Sequence, residues 1–436
     1  MIRLVLLSLL FGVALAANPL ATEDQRKLDE LSLKISKSSE FDQLRSKAYD
    51  QYYKTLHKYN VNIDDTTKKD IDTAIEELVF SSIQKAVNSD PNYPKVYWVD
   101  TAPRKENWFG LDVTGGRYSY DNPDCFYRTV PVNTKHTYKI HGRRHGKGPS
   151  DVSFSLIKNY DSQGTVSSLS GKDIKVNDDG TYTITVSNKD TTEPNHIKST
   201  WNGVALFIRN NIADWQTELP DDLHVEILGE HNSEPYPEKK IIENAKFSLR
   251  WSKFFYGFGA LDFKTFSVKT NTLGKPGQSQ LLGTLTTQAQ SFGHYKLDTN
   301  ETLIITITPG NSKYWVVPVY TLGMISVAPW KNLVSFNAVQ STKNNDGSYT
   351  FVLSERDPGV HNWLNTTGRH EGTIMARWQG LPASSHGAKG ITVKTEKVNF
   401  DDLHKHLPNE TVYISQSQRK QQVEKREAGY ARLHQQ

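Results

Sequence analysis

The stretch KHTYKIHGRRHGKG, residues 135–148, comes nearest to a binding surface by residue type and spacing. Read as a strand, it puts Lys135, Thr137, Lys139, His141 and Arg143 on one face, with neighbours ~6.6–6.8 Å apart. Arg144, His145 and Lys147 carry the charge into a glycine-rich loop, and no Asp or Glu interrupts residues 135–147. Such a row would hold a sulfated or carboxylated glycan or a lipid headgroup. The competing reading is a solvated strand face whose acidic neighbours come from adjoining strands. A second cluster holds Asp357, His361, Trp363, His370, Glu371 and Arg377. Imidazole, carboxylate and guanidinium groups together are acid–base machinery, which makes Asp357, His361 and Arg377 the candidates for a hydrolase or lyase. Asp357-Pro358-Gly359 is equally good turn chemistry, Asn362 can cap backbone groups, and Arg377 would bridge to Asp357, so a structural role is the preferred reading.

Signatures of known chemistry are missing. There is no Gly-x-Ser-x-Gly elbow, His-Glu-x-x-His, phosphate loop or dinucleotide fingerprint. His141 and His145 would pair on a metal only in a helix, and His404 and His406 lack a third ligand. No metal or cofactor is therefore expected. Cys125, the one cysteine, excludes an intrachain disulfide and reads as a small buried hydrophobe beside Phe126 and Tyr127.

The elements that must position these groups begin after a leader. Residues 1–16 read as a secretory signal peptide cut between Ala16 and Ala17, its apolar run shorter than the ~20 residues of a membrane-spanning helix. A secreted, soluble chain with no transmembrane segment is expected. The sequons at Asn300, Asn365 and Asn409 are then glycosylation candidates. A net charge of +4 gives no case for nucleic acid, and the oligomeric state stays open. Residues 22–88 read as helices: Thr22 is an N-cap with Gln25 in capping-box spacing, and a further helix covers about 67–87. Strands with period-two alternation are expected near 127–132, 137–143, 152–158, 181–187, 203–210 and 223–228. A helix follows from Pro237, with Gly257 and Gly259 ending or bending it. More strands are expected near 281–287, 302–308, 314–321, 333–339, 348–354, 373–379 and 391–398, before a polar C-terminal stretch read as a solvated helix or frayed tail.

The two strand-rich stretches repeat each other. NDDGTYTITVSNKD (177–190) and NDGSYTFVLSERD, with its preceding Asn344, share seven of fourteen positions at an offset of 167. FYRTVPVNTKHTY aligns with HYKLDTNETLIIT, and NHIKSTWNGVALFIRN with HNWLNTTGRHEGTIMARWQ. The fold expected is mainly β with helical additions: two tandem jelly-roll or β-sandwich-like domains, an N-terminal helical segment and a connecting helix. The divisions are a signal peptide at 1–16, a helical segment at 17–92, the first β domain at 93–232, a helical connector at 233–275, the second β domain at 276–400 and a polar tail at 401–436.

DPGVHNWLNTTGRHEGTIMARWQ (357–379), with KYWVVPVYT and NDGSYTFVLS before it, resembles the family called domain of unknown function 1214 (DUF1214). NPDCFYRTVPVNTKHTYKIHGRR and GVALFIRNNIADWQTE resemble a diverged first copy. The resemblance spans about residues 95–400 and implies a pair of jelly-roll-like domains, with no shared mechanism to carry over. Members often have Asp after Asn-Trp-Leu, where this chain has Asn365 in a sequon. The expected function is a secreted glycoprotein binding an anionic glycan or lipid-like ligand through Lys135, Lys139, His141 and Arg143. A hydrolase or lyase built on Asp357, His361 and Arg377, or an extracellular structural protein, are the alternatives.

Overall fold

A computed structural model describes residues 18–104, 107–229, 234–278, 287–382 and 388–434. The expected signal peptide, and the strand expected over 281–287 except for its last residue, lie outside the described residues.

Among the described residues, three α-helices come first. Thr22 Oγ1 accepts from the Gln25 amide at 3.1 Å and starts α1 (Glu23–Ser36). The return arm of the capping box is not made, because the buried Gln25 side chain reaches Asp29 and the Trp98 carbonyl instead. α2 (Asp42–Lys58) follows, then α3 (Asp65–Val87), whose N-cap Asp64 accepts from Thr67 N at 2.7 Å. α4 (Glu238–Phe254) packs on α2 and α3. The chain does not leave the helix at Gly257 or Gly259 as expected: the α-helical part stops at Phe254 and a π-helix, Phe255–Phe266, carries it past both glycines. A Cβ at Gly257 would sit 2.8 Å from Gln51 Cγ and 3.2 Å from the Tyr52 ring, so this glycine serves close approach to α2, not termination.

The first β unit comprises β1 (Tyr97–Val99), β2 (Cys125–Pro131), β3 (Thr137–Arg143), β4 (Asp151–Asn159), β5 (Gln163–Ser170), β6 (Thr181–Ser187), β7 (His196–Lys198), β8 (Ala205–Asn211) and β9 (Asp222–Leu228). The second comprises β10 (Thr272–Leu273), β11 (Ala289–Lys296), β12 (Glu301–Pro309), β13 (Tyr314–Tyr320), β14 (Ser335–Asn337), β15 (Tyr349–Ser354), β16 (Trp363–Asn365), β17 (Glu371–Gln379) and β18 (Ile391–Asn399). Each forms a five-stranded and a four-stranded sheet. The orders are β1-β2-β8-β4-β5 and β7-β6-β3-β9 in the first unit, and β10-β11-β17-β13-β14 and β16-β15-β12-β18 in the second. Strand for strand, the two orders are the same. Among the described residues each unit has one parallel pair, β6–β7 and β15–β16. The hairpins entering β6 and β15 also agree: Gly180 and Gly347 sit at φ +83° and +87°, and each donates its amide to the carbonyl of the Asn three residues back.

Alternation along the strands builds the layers. In β4, Val152, Phe154 and Leu156 turn inward onto Tyr138, Ile140 and Ile184, while Ser153 and Ser155 turn outward. In the second unit Trp315, Ile374, Ala376 and Trp378 pack on Leu303, Ile305 and Phe351. The outer faces of the two five-stranded sheets meet, with Asn211 Nδ2 donating to Gln379 Oε1 and Arg377 Nη1 to the Tyr127 hydroxyl at 3.2 Å. The C-terminal stretch is α5 (Gln416–His434), and it is docked, not frayed. Tyr430 stacks on Trp330 at 4.8 Å and packs on Trp215 at 5.4 Å, while Arg426 and Leu433 are buried.

Candidate functional site

The outer faces of the five-stranded sheets do not close completely. Between them lies a cavity of about 90 Å³, enough for a few waters or one small polar group. Tyr127 and Arg209 reach it from the first sheet, Gln290, Met375 and Arg377 from the second. Asp100, just after β1, the Tyr118–Tyr120 segment, Gln163 and the π-helix residues Tyr256 and Ala260 close the sides. Arg209 and Arg377 occupy corresponding places, each two residues before the end of a central strand, β8 or β17. Strand alternation points both away from their own sandwich cores.

Their electrostatics are unusual. A buried guanidinium costs several kcal/mol unless a carboxylate and further hydrogen bonds compensate it. Arg377 donates to the hydroxyls of Tyr127 and Tyr320, both at 3.2 Å, and to the Tyr120 carbonyl, while its Nε is buried without a partner. Arg209 donates to Gln163 Oε1 at 2.7 Å and Ser155 Oγ at 3.2 Å, and lies 4.6 Å over the Phe207 ring. Among the described residues, neither has a carboxylate at ion-pair distance. Burial holds the Arg209 pKa below the usual arginine value, and the Arg377 charge adds to the effect. Asp161, also on the wall, is taken by Lys85 at 3.0 Å and by Ser248. Asp100 remains. It is buried, its backbone is held at φ +57°, and its Oδ1 has no hydrogen-bond partner. Burial, and then the Asp121 charge, push its pKa up to about 8. Burial thus favours the protonated form of Asp100 on a cavity wall that it shares with the two guanidiniums.

The residues singled out from sequence fall in different places. Asp357, His361 and Arg377 do not converge, which corrects the hydrolase or lyase site built on them. Alternation along β17 sends Arg377 into the cavity, whereas Asp357 and His361 lie between β15 and β16, under α5. The bridge expected between Asp357 and Arg377 is instead Asp357 with Arg419, at 2.9 and 3.0 Å. His361 is half-buried, 3.1 Å from Asn362 Oδ1, and burial lowers its pKa. It lines a second cavity of about 240 Å³ beneath α5.

β3 has the limits expected, and His141 and Arg143 are exposed with Lys139 half-buried. Lys135 lies just before the strand and is exposed. The row is not bare: β9 sets Glu226 opposite Lys139 and Asp222 opposite Arg143, and His141 Nε2 is 3.2 Å from Glu226. Asn300 and Asn409 are exposed, while Asn365 is half-buried and its Oδ1 accepts from Thr367 N. Cys125 is buried, and burial raises its thiol pKa. Sequence reasoning missed Arg209, Asp100 and the tyrosines. One signal was present: FIRN and MARW fall at matching places in the two strand-rich stretches, each with an arginine third.

The fold is thus a pair of β sandwiches joined face to face around a cationic cleft. Residues 284–381 match the family model of DUF1214, a protein of unknown function. Among solved structures, the chain is similar to an uncharacterized protein from Burkholderia cenocepacia, at 21% identity and a TM-score of 0.66, over 82% of this chain and 97% of that one. It also matches a protein from Vibrio parahaemolyticus at 11% identity and a TM-score of 0.43, over 76% of this chain and 100% of that one. No curated protein matches the sequence. No helix among the described residues is long and apolar enough to cross a membrane.

Proposed function

We propose that this protein binds a small anionic ligand in the cleft between its β units, with Arg209 and Arg377 as the receptors. One observation carries the reading: two buried guanidiniums share a cavity wall and have no carboxylate partner among the described residues. A carboxylate or phosphate oxygen would supply the missing charge and accept from both forks. The cleft is a better place for it than the row on β3, where Glu226 and Asp222 already stand opposite the bases. A thermal-shift series with inorganic phosphate, acetate and citrate against chloride tests the reading. At least one anion is expected to raise Tm; a ligand at 100 times its Kd adds about 2.7 kcal/mol. Arg209→Gln and Arg377→Gln should each abolish the rise. No rise with any of the three anions, or a rise that survives both substitutions, refutes the assignment.

The two β units are read as diverged tandem copies of one ancestral unit. The shared strand order, the paired glycine turns and the matched arginines support this. The cleft would then be built where two copies of one face meet. Secretion and glycosylation belong to the same reading, resting on the leader-like start and on the exposed Asn300 and Asn409.

A further inference from the structure

The anion cleft leaves one surface unexplained. The inward face of α4 is carried by Ile241, Ala245, Leu249 and Ser252, all buried. On its opposite side Phe247, Trp251 and Phe254 fall within an arc of roughly 60°, at 3.6 residues per turn. They are 55%, 45% and 47% exposed. The row continues into the π-helix with Phe258 at 42% and Phe263 at 63%. The rings touch in sequence: Phe247 to Trp251 at 6.4 Å, and Phe254 stacked on Phe258 at 5.2 Å. Five large aromatic side chains that each keep about half their surface exposed are not a core, and an exposed apolar patch of this size marks an interaction site.

We propose that this ridge docks the protein on an anionic lipid surface. Charge decides the occupant. Lys239, Lys240, Arg250, Lys253 and Lys264 lie along the same helix with no ion-pair partner among the described residues. Glu238 and Asp262 are taken by Lys34 and Lys58, leaving Glu243 as the unpaired acid. Aromatic rings flanked by bases are the composition of a helix lying in a bilayer interface, rings at headgroup depth and bases on anionic lipid. A second copy of the chain fits less well, since face-to-face pairing would set the same basic groups against each other. Phe255 connects ridge and cleft: its ring lies 6.2 Å from Trp251, and it lines the cavity. A docked ridge would therefore hold the cleft close to the lipid.

Cosedimentation of the full-length protein with two kinds of vesicle tests this: phosphatidylcholine alone, and phosphatidylcholine with about one third phosphatidylserine. The protein should partition onto the anionic vesicles. Trp251→Ser/Phe254→Ser should weaken partitioning at least about tenfold, since interfacial binding scales with buried apolar area, in a protein that still unfolds in one cooperative transition well above the assay temperature. Arg250→Gln/Lys253→Gln should lose the serine-lipid increment, and Arg377→Gln should bind vesicles like the parent, which separates this proposal from the anion cleft. Equal partitioning of parent and ridge variant overturns it. So does a parent that ignores vesicles but sediments as a dimer which the ridge substitutions dissociate.

Discussion

Asp100 is where the chemistry of the cleft can be read most directly. Its pKa of about 8 means that the folded protein holds a proton which the unfolded chain, near 3.8, releases. The folded state binds more protons through this window, so stability from this group is complete below about pH 4 and declines as pH rises toward 8. Asn mimics the protonated acid in shape and cannot ionise. Asp100→Asn should therefore remove part of the slope. Between about pH 5 and pH 8 the parent should lose on the order of 2 kcal/mol relative to the variant, within the ~1.4 kcal/mol per pH unit that linkage allows. Denaturant unfolding at the two pH values measures this, and parallel pH profiles would count against it. Anion binding should follow the same proton. A carboxylate appearing at Asp100 repels the ligand, so affinity should fall as pH passes about 8 in the parent and stay level in Asp100→Asn.

At the level of elements, the two hairpins offer a controlled comparison. Gly180 and Gly347 both hold left-handed backbone, where a Cβ costs roughly 1–2 kcal/mol. They differ in surroundings. A Cβ at Gly180 would lie 2.6 Å from the Arg144 carbonyl oxygen, whereas at Gly347 it would meet only the flexible Lys343 side chain at 3.7 Å. Gly180→Ala should thus be the more destabilising, by about 1 kcal/mol or more beyond the shared backbone term. Equal losses in thermal unfolding would deny that the Arg144 contact matters. The same elements show what sequence carries and what it hides. β3 and β6 have the limits their alternation predicts, because each has one wet face and one dry face. β7 and β16 have three residues each and pair in parallel beside a longer strand, so no periodicity can announce them. β2, β8 and β13 are buried along their whole length, since their second face meets the other unit or the helices. That double burial also hid the cleft. Nothing local distinguishes Arg209 from a surface arginine, and only the meeting of two sheets gives it meaning.

For the molecule as a whole, the question is whether the two sandwiches are separable. The contact between them is a polar seam, not a wet surface. Asp124 accepts from Trp215 Nε1 at 2.9 Å in its own unit, and from the Tyr314 hydroxyl at 2.7 Å and Asn337 Nδ2 at 2.8 Å in the other. Asn122 Nδ2 reaches both Asn211 and Tyr314 at 3.0 Å. Arg369 of the second unit pairs with Asp70 of α3 at 2.6 Å, and Arg426 of α5 donates to the Pro329 carbonyl while its guanidinium lies 4.5 Å from the Trp215 ring. Separating the units would strand several buried donors and acceptors at about 1–3 kcal/mol each, although each sandwich keeps its own apolar core. The balance favours one cooperative body. Hydrogen exchange followed by mass spectrometry decides it, because the outer sheets report on each unit alone. Peptides from β3 and β6 and from β12 and β15 should open with the same free energy in the parent. Asp124→Ala, which leaves the Trp215 indole without its acceptor and takes one of two acceptors from the Tyr314 hydroxyl and the Asn337 amide, should lower both together by about 1–3 kcal/mol. If only one sheet gave way, or if the two already differed in the parent, the sandwiches would be independent domains in loose contact, and a ligand site lodged between them would lose its rigid walls.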